Sequence, residues 1–400
     1  MKIRFVLFFL ALCFICTSCG AVSNVPKSAS YEASYQEGLD FPYDCFDLGV
    51  GDYNAARTEQ GIYFMVGQYL FFYDYESQKC VPFCNKSDCL HYEETDGYRT
   101  TYCDALFYPY YQLIFLYDEK LYASQGNFNG QKIQLMEMNL DGTNRKVLCD
   151  LTDCKWPVFH RGVIYYRKIA RNEQGVMSYY LCGRSVMEDP DKEYILYTGK
   201  YEEGSIQHVY PFGDHVYFND LDEETISEDF LSYNIQTGEV KLLNQDAEPF
   251  GSDGTNLILW NNGVFMYYSP EEESYLDTEI PFNHFVEEHS DWHCFYRPKD
   301  GDIGFVEYHD RIENMFMPDL IVVNGEGQEV NKIPGAAKVS DKKWSFTNKG
   351  ETYYIIICKQ PIFSVRLYKK ADLLAGKQEA VILLESESVN DFLPTIIIED

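Results

Sequence analysis

The sequence predicts an all-β chain: a single β-propeller, with seven four-stranded blades as the simplest count, after a signal peptide and a short tether. Three observations carry this reading. An aromatic strand pattern recurs along the chain, and most recurrences are followed by a strand–turn–strand pattern with Gly or Asn at the tip. Long amphipathic helices are absent from the pattern; the best helical run, Lys369 to Gly376, is short. The chain has 400 residues and is 46% apolar, enough to fill a core and to exclude wholesale disorder. Its 63 acidic and 33 basic side chains give a net charge of −30, which argues against nucleic acid as a partner.

The recurring pattern is marked by Tyr63, Tyr122, Tyr165, Tyr217, Phe265, Phe305 and Tyr354, at intervals of 40 to 59 residues; the match at Phe305 is the weakest. Turns at Asp118-Glu119-Lys120 and Phe212-Gly213-Asp214 precede two of the marked strands. Downstream hairpins have their tips at Asp74–Gln78, Asp141-Gly142-Thr143-Asn144, Gln236-Thr237-Gly238-Glu239 and Asn324-Gly325-Glu326-Gly327. Gly and Asn supply the positive φ of tight hairpin turns, and the flanking Val, Ile, Leu, Tyr and Phe favour strands. A unit of about four short strands cannot bury both faces alone, so neighbours must stack on it. The 34 tyrosines are thus expected mainly as packing. Six or eight units also satisfy the pattern. Two β-sandwiches are the alternative architecture, but no linker divides residues 45–400. Ring closure is expected to pair a strand from Tyr43–Tyr53 with the C-terminal unit, since an open edge invites aggregation.

The N-terminus opens with Lys2 and Arg4, then an apolar run from Phe5 to Cys16, too short for a permanent span of about 20 residues. Its exit, Ile15-Cys16-Thr17-Ser18-Cys19-Gly20, resembles the lipobox of bacterial lipoproteins. The departure is Cys16, where leucine is commoner. The resemblance implies cleavage after Ser18, lipidation of Cys19, and export to the outer face of the cell membrane. Several acyl chains on one residue suffice for stable anchoring. The alternative is a plain signal peptide cut after Ser18 or Ala21. The domain reading is therefore 1–18 signal peptide, 19–40 lipidated N-terminus and flexible tether, and 41–400 propeller. Losing Lys2 and Arg4 with the leader takes the net charge from −30 to −32.

Of thirteen cysteines, Cys80, Cys84, Cys89 and Cys103 cluster with His91 in an insertion at about 80–104. Disulfides suit an exported loop. A Cys₃His set of Cys84, Cys89, His91 and Cys103 suits a structural zinc ion, although C-x₄-C-x-H is not a standard zinc spacing. Free thiols are the third reading. Cys149 and Cys154 flank a turn and are candidates for a local disulfide. Cys45, Cys182, Cys294 and Cys358 are isolated in sequence and are expected as buried thiols. Lipobox, tether, tyrosine-rich repeats and the segment Val81-Pro82-Phe83-Cys84-Asn85-Lys86-Ser87-Asp88-Cys89-Leu90-His91 with Cys103-Asp104-Ala105 together resemble the clostridial-type β-propeller lipoproteins. That resemblance implies fold and location and brings no activity with it.

No phosphate loop, HExxH motif or G-x-S-x-G elbow occurs. No D-x-D-x-D-G calcium loop occurs either, although loop carboxylates with backbone oxygens could hold Ca²⁺. Runs such as Asp222-Glu223-Glu224 and Glu271-Glu272-Glu273 read as solvated loops. His284, His289, His293 and His309 surround Trp292, which makes Trp292 and His293 the speculative ligand face. Trp156, Trp260 and Trp344 are expected mainly as packing between blades. No catalytic residue is assigned. The favoured function is a non-catalytic module binding an extracellular protein, peptide or glycan. An accessory or sensor subunit of an envelope complex or transporter is one alternative. A polysaccharide- or peptide-cleaving enzyme is the other.

Overall fold

A computed structural model describes residues 25–34, 36, 39–40, 55–89, 91, 103–107, 113–126, 132–171, 177–200, 204–222, 224, 227–245, 247–252, 254–261, 264–278, 280, 292–296, 303–310, 315–336, 343–358 and 362–386. For 250, 292–296, 304, 306–310, 315–318 and 343–345 it describes the backbone alone.

Seven four-stranded antiparallel sheets follow one another, each with its strands side by side in chain order. The first holds β1 (Ala55–Arg57), β2 (Gly61–Val66), β3 (Tyr69–Asp74) and β4 (Lys79–Pro82). The second holds β5 (Ile114–Tyr117), β6 (Lys120–Gly126), β7 (Ile133–Asn139) and β8 (Lys146–Asp150). The third holds β9 (Lys155–His160), β10 (Val163–Arg171), β11 (Met177–Ser185) and β12 (Tyr194–Thr198). The fourth holds β13 (Gly204–Phe212), β14 (His215–Asp222), β15 (Ser227–Asn234) and β16 (Val240–Gln245). The fifth holds β17 (Ala247–Ser252), β18 (Leu257–Asn261), β19 (Val264–Ser269) and β20 (Ser274–Tyr275). The sixth holds β21 (Trp292–Tyr296), β22 (Ile303–Asp310), β23 (Met315–Asn324) and β24 (Glu329–Ile333). The seventh holds β25 (Lys343–Asn348), β26 (Glu351–Cys358), β27 (Phe363–Lys369) and β28 (Val381–Ser386), with one helical turn, α1 (Lys370–Leu374), before its last strand.

The sheets pack face to face as in a β-propeller. Tyr63, Met65 and Leu70 of the first meet Ile114, Leu121 and Met138 of the second. One continuous apolar cluster then runs through the second to the fifth sheets. The sixth packs on the seventh through Phe305, Val322, Tyr354 and Tyr368. The seventh returns to the first, where Phe346 stacks on Tyr75 at 4.6 Å and Ile355 and Val365 join Ile62 and Phe71. First strands neighbour one another across sheets: β1 lies by β5, and β13 by β9 and β17. Fourth strands lie outermost, so Val81, Val147, Ile195, Leu242, Val381 and Ile382 are exposed there. In five sheets the register between third and fourth strands shifts by a bulge, at Leu135/Met136, Leu181/Cys182, Phe230/Leu231, Val322/Val323 and Val365/Arg366. A bulge raises local twist, which turns each outer strand away from its neighbour.

Tyrosine does much of the filling. Tyr165, Tyr166, Tyr210, Tyr233 and Tyr354 are among the largest fully buried side chains. Phe115 stacks on Phe159 of the next sheet at 3.7 Å and on Tyr122 at 4.8 Å. Such pairs contribute about 0.5–1.5 kcal/mol beyond burial. Six of the seven markers fall on second strands, from Tyr63 in β2 to Tyr354 in β26, but Phe265 lies on the third strand of its sheet. The second strand there is β18, Leu-Ile-Leu-Trp-Asn, which lacks the Tyr or Phe that flags the others. The closure expected from Tyr43–Tyr53 falls on residues 41–54, which lie outside the described residues; the four described strands of the seventh sheet come from residues 343–386.

Of the tether expected over 19–40, residues 25–34, 36 and 39–40 are described, and residues 25–34 are docked. Residues 25–34 lie against the turns of the third and fourth sheets. Arg161, fully buried in the β9–β10 turn, holds Asp40 through Nε–Oδ1 (2.5 Å) and Nη2–Oδ2 (2.7 Å). It also donates to the carbonyls of Glu32 (2.6 Å) and Ser34 (2.8 Å). Its own carbonyl accepts from Ala29 N–H (2.7 Å) and Ser28 Oγ (3.2 Å). Ser185 Oγ donates to Lys27 O at 2.7 Å. Gly213, with φ +57, sits so close that a Cβ would lie 1.9 Å from the Ala33 carbonyl. Small polar residues read as a linker because their side chains bury little; here backbone groups do the binding.

His160, next to Arg161, is buried with Nε2 2.8 Å from Gly213 O. Burial pushes its pKa down to about 4, against the pull of Asp40. An unfolded histidine titrates near ~6.5. Between those values the unfolded chain holds a proton that the folded chain lacks. The contribution is therefore complete above ~6.5 and is lost as pH falls toward about 4, at up to ~1.4 kcal/mol per pH unit. Denaturation midpoints measured from pH 7.5 to 4.5 should show this slope. A His160→Gln variant with the same slope would refute the assignment.

Candidate metal centre

β4 ends at Pro82, and the chain turns outward at once. Cys84 N–H donates to Pro82 O (2.8 Å) and Cys89 N–H to Lys86 O (3.4 Å), so two tight turns bring Cys84 and Cys89 together. His91 takes φ +56. The insertion returns at Cys103 and rejoins the first sheet: Leu70 N–H donates to Ala105 O (2.8 Å), and Phe107 N–H to Gln68 O (2.9 Å). Arg145 braces this junction from the β7–β8 turn. It donates to Asp104 O (2.5 Å), Phe83 O (3.3 Å) and Gly142 O (3.0 Å), and lies over the rings of Phe83 and Phe107. Lys86 pairs with Asp104 at 3.0 Å.

The Sγ atoms of Cys84, Cys89 and Cys103 and a ring nitrogen of His91 all lie within 4.8 Å of one another. His91 Nδ1 is 3.4 Å from Cys103 Sγ. Burial pushes the Cys84 thiol up, but N–H groups of Lys86 and Asp104 and the thiols of Cys103 and Cys89 outweigh it and hold its pKa below the usual value. Burial, with Cys84 and Cys89 adding to it, pushes Cys103 well up. Cys84 thus gives up its proton more readily than Cys103. Three sulfurs and one imidazole nitrogen match the donors and number of a closed tetrahedral zinc site. Cys80, near them in sequence, is not among these donors; it packs against the apolar cluster between the first and seventh sheets, and burial pushes its pKa well up.

Cys149 and Cys154, read as a candidate disulfide, are free thiols, both buried. Burial pushes them up to about 11 and about 12, with Arg184 pulling the other way. Cys182 and Cys358 are also buried free thiols. The speculative ligand face meets the limit of what is described: Trp292 and His293 are placed in β21 by their backbone, and their side chains lie outside the described residues, as do Cys19, Cys45, His284 and His289. Trp260 packs on Phe265 within its own sheet (4.8 Å). Trp156 carries the Arg167 guanidinium 3.4 Å from its ring centre.

A second group has no counterpart in the sequence reading. A ring nitrogen of His208 and carboxylate oxygens of Glu228 and Glu248 lie within 4.8 Å of one another. They come from β13, β15 and β17, so two sheets build the group. His208 sits where the β13–β14 register shifts between Gln207 and Tyr210, with φ +50. Burial, and then Arg167, pushes its pKa down to about 4. Burial and the charge of Glu228 push Glu248 up to about 7. No local motif links three residues on separate strands, so the sequence carried no signal for them.

No family model and no curated protein matches the chain. Solved structures similar to it include an oligogalacturonate lyase from Vibrio parahaemolyticus, at 11% identity and a TM-score of 0.42, covering 74% of this chain and 83% of that one. The β-propeller domain of the Trilobed protease from Pyrococcus furiosus shares 13% identity at a TM-score of 0.34, over 56% of this chain and 68% of that one. Acylaminoacyl peptidase from Pyrococcus horikoshii shares 11% identity at a TM-score of 0.47, over 86% of this chain and about half (52%) of that one. No residue assignment follows from these likenesses.

Proposed function

We propose that the chain is a lipid-anchored, extracytoplasmic β-propeller that serves as a non-catalytic binding module for a protein, peptide or glycan. In this reading its seven sheets are the blades of one ring, and a structural zinc ion closes the Cys84–Cys103 loop. The observation that supports it best is the docking of residues 25–34. The turn of Arg161 and that of Gly213 each join a first to a second strand, and Gly238, whose Cβ would meet Val25 at 3.0 Å, lies in a third-to-fourth turn. In an antiparallel meander these turns share one end of the sheets. From Cys19 to Val25 is only six residues, an extended reach on the order of 20 Å. A lipidated Cys19 would hold that end near the membrane and leave the opposite end facing outward.

The test has two readouts. Cys19→Ser should move the full-length protein from the membrane to the soluble fraction and abolish incorporation of a labelled fatty acid. Unchanged membrane association would sink the anchoring. The detergent-solubilised protein, screened against glycan arrays and envelope extracts, should bind saturably without turnover. Product release from a bound polymer would refute the non-catalytic reading.

A further inference from the structure

We propose that His208, Glu228 and Glu248 form a second metal site, which holds a first-row divalent transition ion and leaves coordination positions open. The site is independent of the Cys₃His loop and of the anchoring. Three observations carry it. First, the donor set has the right chemistry: one imidazole and two carboxylates, with all donor atoms inside a 4.8 Å span. Tetrahedral donors about 2.1 Å from one such ion stand about 3.4 Å apart, so closing onto it requires each donor to move by no more than about 0.8 Å.

Second, one buried oxygen of Glu248 lacks the partners that the buried acids of the neighbouring fourth sheet have. Asp229 is paired with Lys200, and Asp220 accepts from Tyr197 OH (2.7 Å) and Lys200 N–H (3.0 Å). The Glu248 Oε2 atom is buried and accepts no hydrogen bond. The His208 side chain is only 8% exposed, and its Nε2 lies 3.8 Å from Glu248 Oε2, beyond hydrogen-bond reach. A buried carboxylate oxygen that accepts no hydrogen bond is costly unless something binds it. Arg167, which lies near His208, rests on the Trp156 ring and donates to the Ile206 carbonyl (2.5 Å).

Third, the position suits exchange with solvent. Glu228 and Glu248 are each the second residue of their strands, β15 and β17, at the end of the sheets opposite the docked N-terminal segment. Glu248 remains 24% exposed. Three protein donors leave at least one position for water or a ligand oxygen, in contrast to four donors, which close a structural site.

Cobalt separates the two centres. The full-length chain, stripped of metal and titrated with Co²⁺, should take up one equivalent with thiolate-to-cobalt charge transfer at the cysteines and one equivalent without it. Glu248→Gln, which keeps shape and removes charge, should weaken the second equivalent by ~100-fold or more and leave the charge-transfer equivalent intact. Glu228→Gln should do the same. Circular dichroism of each variant checks the fold; should Glu248→Gln fail to fold, His208→Gln supplies the same reading. Uptake of thiolate-bound cobalt alone by the parent chain, or an unchanged second equivalent in a folded Glu248→Gln variant, would overturn the proposal.

Discussion

Arg161→Ala is expected to cost about 3–5 kcal/mol, because it leaves the Asp40 carboxylate buried without its counter-ion. The ion pair is bidentate and its arginine fully buried, so solvent screens it little. The same guanidinium also satisfies the Glu32 and Ser34 carbonyls, and both lose their donor. The variant should therefore release residues 25–34 as well as lower stability. Urea denaturation reads the first effect, and protease sensitivity of that segment reads the second. Lysine is a poor substitute, since an ammonium cannot reproduce the planar fork. The backbone offers a control. Arg161 takes φ +49, so Arg161→Gly relieves about 1 kcal/mol of strain while losing the same contacts. Glycine should accordingly be the less damaging of the two. In a double-mutant cycle, Asp40→Ala combined with Arg161→Ala should fall well short of the sum of the single effects. A loss below 1 kcal/mol for Arg161→Ala would show that the segment is held by other contacts.

The second large effect concerns the cysteine loop. With free zinc a thousandfold above its dissociation constant, the proposed Cys₃His site would stabilise the folded chain by about 4 kcal/mol. Chelation should remove that stabilisation and expose the insertion between Cys84 and Cys103 to proteolysis. Cys103→Ser should abolish zinc retention, because Cys103 ties the returning end of the loop to the departing one. Cys80→Ala should retain the full zinc content, since Cys80 is not among the four donors. Metal analysis and thermal melts with and without chelator check both. Metal-free protein with Cys89 and Cys103 joined in a disulfide, seen by non-reducing mass spectrometry, would eliminate the zinc.

The repeat was readable because its determinants are local. A positive-φ turn needs Gly or Asn wherever it occurs, and Gly142, Gly238 and Gly327 take φ of +80, +75 and +78 at the tips the sequence marked. Strand alternation and tyrosine content followed likewise, as did the short helical turn at Lys370–Leu374. The reading slipped at Phe265, where an apolar second strand without tyrosine hid the phase of the unit. Cys84, Cys89, His91 and Cys103 were visible as a cluster because they are near in sequence. That Cys80 is not among the donors was not, since it depends on which face of β4 and which turn each thiol occupies.

What the sequence alone determined is therefore the class of fold, the repeat and the composition of the cysteine loop. These rest on periodicity, turn chemistry and short-range spacing, which a local window contains. Only the tertiary structure decided that a linker-like segment is bound through its backbone to Arg161. Only it brought His208, Glu228 and Glu248 from three strands of two sheets to one point. Both depend on how distant strands stack. That stacking is set by packing summed over whole sheets, and no single stretch of sequence records it.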